Sequence, residues 1–243
     1  MPRRIQTKPQ IALDQLRDAI AAGIEAAFVL ADAGYGNDTD FRVGITEIGL
    51  PYAVGIQSNT TLWSPGIEPL PPKQWSGRGR PTSAIRRDAE HPPVSARQLA
   101  LDLPKKAWRR VTWREGTNTR LASRFAAVRV RPAHRDYQRP TPRPEEWCLI
   151  EWPSDEPEPT KYFLSTLPAT ISRRALVDVT KLRWRIERDY QDLAGCGNSL
   201  NEAVIFLFSG LRDRNIVAKS SISGRRVADF TAAGQSPGLV RLP

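Results

Sequence analysis

A mixed α/β fold is predicted by an early alternation of helix and strand, a later run of strand-like segments, and a long amphipathic helix after them. Pro9 suits the first turn of a helix running to Ala22, with Leu13, Leu16 and Ile20 on one face and Gly23 as the stop. Ala27 to Ala31 is a short apolar run of the kind found in strands buried on both faces, and Asp32 follows it directly. Asn37 or Asp38 can cap a second helix to about Ile48, ended by Gly49. Pro51 then leads into a second strand, Tyr52 to Ile56. This order predicts a parallel arrangement.

The stretch from Ser64 to Pro93 holds seven prolines and reads as an excursion outside the core. Val94 to Leu103 fits a short helix capped by Ser95. Strand-like segments follow at Trp108 to Arg114, Leu121 to Arg131, Glu146 to Trp152 and Tyr162 to Leu167. Thr170 or Ser172 can cap a long helix to about Leu193, with Leu176, Val179, Ile186, Tyr190 and Leu193 at helical spacing. Beyond it, residues 194–243 lack Trp and Tyr and carry scattered Gly and Ser, which suggests a divergent, poorly ordered tail. Within that tail, Ala203 to Leu211 fits either helix or strand.

The chain has 243 residues, enough for a sizeable core, and 40% of them are hydrophobic. Its two cysteines, Cys148 and Cys196, have no metal-ligand spacing and read as reduced thiols of a cytosolic protein. No apolar leader and no run of membrane-spanning length is present in the sequence.

The formal net charge of +10 favours an anionic partner, in the first instance nucleic acid. Residues 104–144 contain twelve Lys and Arg against two acids, with Trp108, Trp113, Phe125 and Tyr137 among them. Arginines such as Arg109, Arg110, Arg129 and Arg131 are therefore candidate phosphate contacts, with the aromatics available to stack on bases. The same pattern fits a sheet with one solvated arginine face and one core face. Residues 145–160 carry six acids and no base, and read as a solvated turn or an electrostatic partner of the basic sheet.

Two carboxylates stand out. Asp32 occupies the carboxyl end of a strand, where open α/β sheets place functional groups, and Ala33, Gly34 and Gly36 leave room for a metal and a phosphate to approach. An Asp here can equally cap the turn that follows. Glu187 lies one helical turn from Arg183 in Arg-Trp-Arg-Ile-Glu-Arg, which taken alone is an ordinary i,i+4 ion pair.

Asp32-Ala33-Gly34-Tyr35-Gly36, together with Leu182 to Tyr190, resembles the DDE-type transposases of bacterial insertion sequences, over roughly residues 5–193. Trp108 to Thr117 and Pro159 to Ser165 share the likeness. The resemblance implies a ribonuclease-H-like domain with a β-rich basic insertion over residues 57–167 and DNA strand cleavage and transfer at Mg²⁺ held by three carboxylates. It matches Asp32 to the second catalytic acid and Glu187 to the third, both as metal ligands, and Arg183 to an arginine that positions DNA or the acid. Thr180 and Ala194 stand where the family signature has Tyr and Lys. The first catalytic Asp belongs on a strand upstream of Pro9. The expectation is therefore a partial catalytic domain over residues 1–193, a truncated and inactive copy with weak metal binding. The implied setting is cytoplasmic and nucleoid-associated, with DNA as partner, a possible homodimer on transposon ends, and no membrane. The alternative is a non-catalytic basic remnant that binds DNA.

Overall fold

The computed structural model describes residues 6–24, 26–80, 83–115 and 119–182, and the backbone of two further strands, Ile205–Ser209 and Val217–Ile222. Helix α1 (Lys8–Ala21) starts at a reciprocal capping pair of Thr7 and Gln10 and ends before Gly23, whose φ of +82° only glycine adopts cheaply. Strand β1 (Phe28–Ala31) is buried along its whole length. A single turn, α2 (Ala33–Gly36), leads into α3 (Thr39–Glu47), which Asp38 caps through Phe41 N. Gly49, at φ +85°, closes that helix, and β2 (Tyr52–Ile56) follows fully buried.

Strand β2 runs parallel to β1. Among the described residues every other named pairing is antiparallel, so the parallel arrangement expected from the early alternation is confined to this pair. The expectation for the early strands thus holds, while the later strands pair antiparallel with their neighbours in the sheet. They are β3 (Thr61–Trp63), β4 (Val94–Ser95), β5 (Arg109–Glu115), β6 (Thr119–Pro132), β7 (Glu146–Trp152) and β8 (Lys161–Ser165). Between β4 and β5 lies α4 (Ala96–Asp102), capped by Ser95. Strand β6 is long enough to serve β5, β7 and, at its far end, β3. With β9 (Ile205–Ser209) and β10 (Val217–Ile222), the order is β10-β9-β1-β2-β8-β7-β6-β3-β4, with β5 also on β6. The strands within residues 57–167 thus continue the sheet begun by β1 and β2.

Two cores lie on opposite faces of the sheet. One packs α1, α3 and α4 against Val29, Tyr52, Val54, Val130, Cys148 and Leu164. Gly44 permits the close seat of α1 on α3, because a Cβ there would lie 2.7 Å from a Leu13 methyl. The other core places α5 (Arg173–Lys181), capped by Ser172, over Phe28, Ala53, Trp113, Phe125 and Phe163. The long helix expected to reach Leu193 is described as far as α5, and its continuation lies outside the described residues.

Candidate active site at the carboxyl edge of the parallel pair

Because β1 and β2 are parallel, their carboxyl ends meet at one edge of the sheet, and Asp32 is the first residue beyond β1. It is half-buried and caps α2: its Oδ1 accepts from Gly34 N at 2.8 Å and from Tyr35 N at 3.3 Å. The capping role is therefore real, and it fixes the carboxylate in direction. Oδ2 makes no hydrogen bond with the described residues and is the oxygen available to a ligand. Burial and the nearby Asp32 charge push the Tyr35 phenol up from its ordinary range, which keeps it neutral beside the acid.

The glycines of this turn serve packing as well as access. Gly34 is exposed, as the expected open approach requires, and a Cβ there would meet the capping Oδ1 at 3.0 Å. Gly36 is different: it is buried, and a Cβ would lie 1.9 Å from Gly55 O. A Cβ on Gly55 would in turn press on Ala33 N at 3.0 Å. Gly36 thus lets α2 lie on the β2 backbone, and the expectation that it leaves space for a metal and phosphate is corrected. Arg42 on α3, only 3% exposed, donates to Gly36 O and to Thr39 Oγ1, tying α3 to the turn. Asn37 Oδ1 accepts from Gln57 N at 2.9 Å and Thr60 Oγ1 at 3.1 Å, which joins the same turn to the loop after β2.

The basic sheet is a mixture of free and engaged arginines. Arg109 and Arg110 on β5 are exposed, and Arg109 Nη1 donates to the carbonyls of Lys106 and Trp108. Arg129 lies over the Trp147 ring and donates to Glu145 O, with the Glu145 carboxylate at 3.9 Å. Arg131 pairs with Glu68 at 2.6 Å and approaches Glu145 at 3.7 Å. Glu145 belongs to the acidic stretch, so that stretch does partner the basic sheet. Trp113 and Phe125 stack edge-to-face 5.5 Å apart in the core under α5, and are closed to the base stacking expected of them. Trp108 packs on Trp152, whereas Tyr137 is exposed.

Glu187 and Arg183 lie outside the described residues. Helix α5, which precedes them in the sequence, is held by a buried ion pair: Lys181 Nζ bonds both oxygens of Glu151 at 2.8 and 2.7 Å and sits 4.1 Å from the centre of the Trp113 ring. Thr180, at the position of the family's Tyr, is buried and returns its hydroxyl to Leu176 O and Val177 O. Among the described residues no three His, Cys, Asp or Glu side chains are grouped to hold a metal. Of a carboxylate set, Asp32 alone is described, and its free, hard oxygen at the sheet edge fits a divalent ion as one ligand of several.

Sequence reading missed Arg42, the Glu151–Lys181 pair and the loop after β2. Each is an isolated polar residue in an ordinary context, and only the tertiary fold gives it a partner.

A mixed sheet with an acid at the carboxyl edge of its parallel pair is consistent with the ribonuclease-H-like fold of DDE endonucleases. Residues 1–120, which contain Asp32, match the family described as DDE superfamily endonuclease, and the match supports a DDE-type transposase-like family. Endonucleases of this superfamily generally use divalent metal ions, and their substrate class is DNA. No curated protein matches the chain. Among the described residues no helix is long and apolar enough to cross a membrane.

Proposed function

We propose that the chain acts in DNA transposition, as a DDE-type nuclease whose Asp32 and Glu187 are two of the carboxylates that hold Mg²⁺. The observation that carries this reading is the position of Asp32: an oriented, half-buried carboxylate at the carboxyl edge of the parallel pair, inside the segment that matches the DDE endonuclease family. When bound, the metal supplies Lewis-acid activation of water or a 3′-hydroxyl and stabilises the leaving oxygen. The protein's share is placement. The bonds from Gly34 and Tyr35 fix the Asp32 carboxylate, and the Gly36–Gly55 contact fixes the turn on β2. Arg109 and Arg110 offer exposed charge to a phosphate backbone, while Arg129 and Arg131 would have to exchange their carboxylate partners for phosphates. Arg183 would steer DNA or Glu187.

A second reading, DNA binding without cleavage, is favoured by the commitment of Asp32 Oδ1 to capping. One experiment separates the two: Mg²⁺-dependent nicking of supercoiled DNA by the purified chain and by Asp32→Asn. Nicking that Asp32→Asn abolishes supports catalysis. Salt-sensitive binding with no nicking supports the second reading, and nicking unchanged in Asp32→Asn removes Asp32 from the site.

A further inference from the structure

A cleft of about 390 Å³ opens beside the Asp32 turn, lined by Ala33, Gln57, Ser58, Asn59, Thr160 and Tyr162. We infer that it accepts one nucleotide adjoining the phosphodiester that Asp32 addresses, and reads its base edge through Gln57 and Asn59. This inference rests on the reading of the chain as one that acts on DNA.

Three observations carry it. The first is the chemistry of the lining. Every polar side chain in it is uncharged: two amides, two hydroxyls and a phenol. A cation site would bring carboxylates and a bare phosphate site would bring Lys or Arg, whereas amides present a donor and an acceptor in one plane, the complement of a base edge. Hydroxyls such as Ser58 and Thr160 suit sugar and phosphate oxygens.

The second is that the walls are fixed while four of the lining side chains are exposed. Asn37 holds Gln57 N and Thr60 Oγ1, and Ser58 O accepts from Arg97 N at 2.9 Å. On the opposite wall, Thr160 N donates to Glu151 O at 3.0 Å, and the Tyr162 hydroxyl donates to Pro159 O. Gln57, Ser58, Asn59 and Thr160 remain exposed, so a ligand meets a prepared frame at little cost in backbone order.

The third is size and position. The volume lies within the roughly 300–1,000 Å³ of small-molecule sites. Ala33, which lines the cleft, is bonded directly to Asp32, so an occupant and the acid address neighbouring atoms of one strand.

The test is fluorescence anisotropy of the full chain with four 12-nucleotide single strands, each built mainly of one base, over a series of salt concentrations. The expected result is a preference of about tenfold for one composition, of the size a good amide–base contact gives. That preference should collapse in Gln57→Ala/Asn59→Ala while the salt slope is retained. A wild-type chain without base preference, or a preference that survives the double replacement, overturns the inference. If the chain binds no strand at any salt concentration, the DNA reading fails and this inference fails with it. Selective binding without nicking leaves this inference standing and removes catalysis alone.

Discussion

Replacing Lys181 by Met would leave the Glu151 carboxylate buried in the α5 core without its ammonium. The pair is almost wholly out of water, with side-chain exposures of 8% for Lys181 and 4% for Glu151, and it is bonded through both carboxylate oxygens. Breaking one side of such a pair costs about 3–5 kcal/mol, because the remaining charge keeps its desolvation penalty and loses its compensation. Replacing both residues by Met removes the charge as well as its partner, so the double variant should return to within about 1–2 kcal/mol of the wild type. The coupling energy in the double-mutant cycle should then be at least about 4 kcal/mol. Urea unfolding followed by tryptophan fluorescence measures this: the midpoint should fall in each single variant and recover in the double, with the slope unchanged. Single variants within about 1 kcal/mol of the wild type, or a double variant as unstable as the two singles added, would refute the reasoning.

Gly36→Ala should destabilise by about 3 kcal/mol, the upper end of overpacking, because the new Cβ would press on backbone at 1.9 Å; Gly34→Ala, which meets only the end of a side chain, is the matched control in the same urea assay. Burial holds the Glu146 carboxyl above the usual glutamate range, so the native state keeps a proton that the unfolded chain releases. Its contribution is complete below that range and declines as pH rises through it towards the folded value, and Glu146→Gln should flatten this part of a stability profile taken from about pH 4 to 7. Burial pushes the Cys148 thiol up to about 12. In a Cys196→Ser background, thiol labelling at about pH 8 should therefore proceed only as fast as the chain unfolds, and immediate labelling of the native protein would contradict the buried position.

Much of the fold was legible wherever a local signal coincided with tertiary demand. Asp38, Ser95 and Ser172 cap the helices they were expected to cap, and Gly23 and Gly49 end theirs at positive φ. The strand expected at Glu146 to Trp152 has those bounds, and Ala203 to Leu211, which fitted either state, contains β9. Strand β3 was not legible: three residues after a turn carry no periodicity, and its place is set by β6 and β4 on either side. At the site, the sequence located Asp32 and left its two roles open, and the structure shows Oδ1 in the capping role. Arg129 and Arg131 looked like free cations because their partners, Glu68 and Glu145, stand 63 and 14 positions away from Arg131 in the chain. The side of β1 away from β2 is paired by β9.

That last pairing sets an order of events in synthesis. Phe28, Val29 and Leu30 pair with Phe208, Leu207 and Phe206, about 180 residues further along the chain, whereas β1 and β2 can meet as soon as Tyr52 has emerged. At about 5–20 residues per second, roughly 8–30 s separate the two moments on the ribosome. During that interval the nascent sheet grows towards β8, β7 and β6 on one side while the other side of β1 waits with unsatisfied backbone groups. A chaperone, or the same edge of a neighbouring nascent chain, has that interval in which to occupy the place of β9, so the yield of folded protein should depend on translation rate and on the crowding of nascent chains.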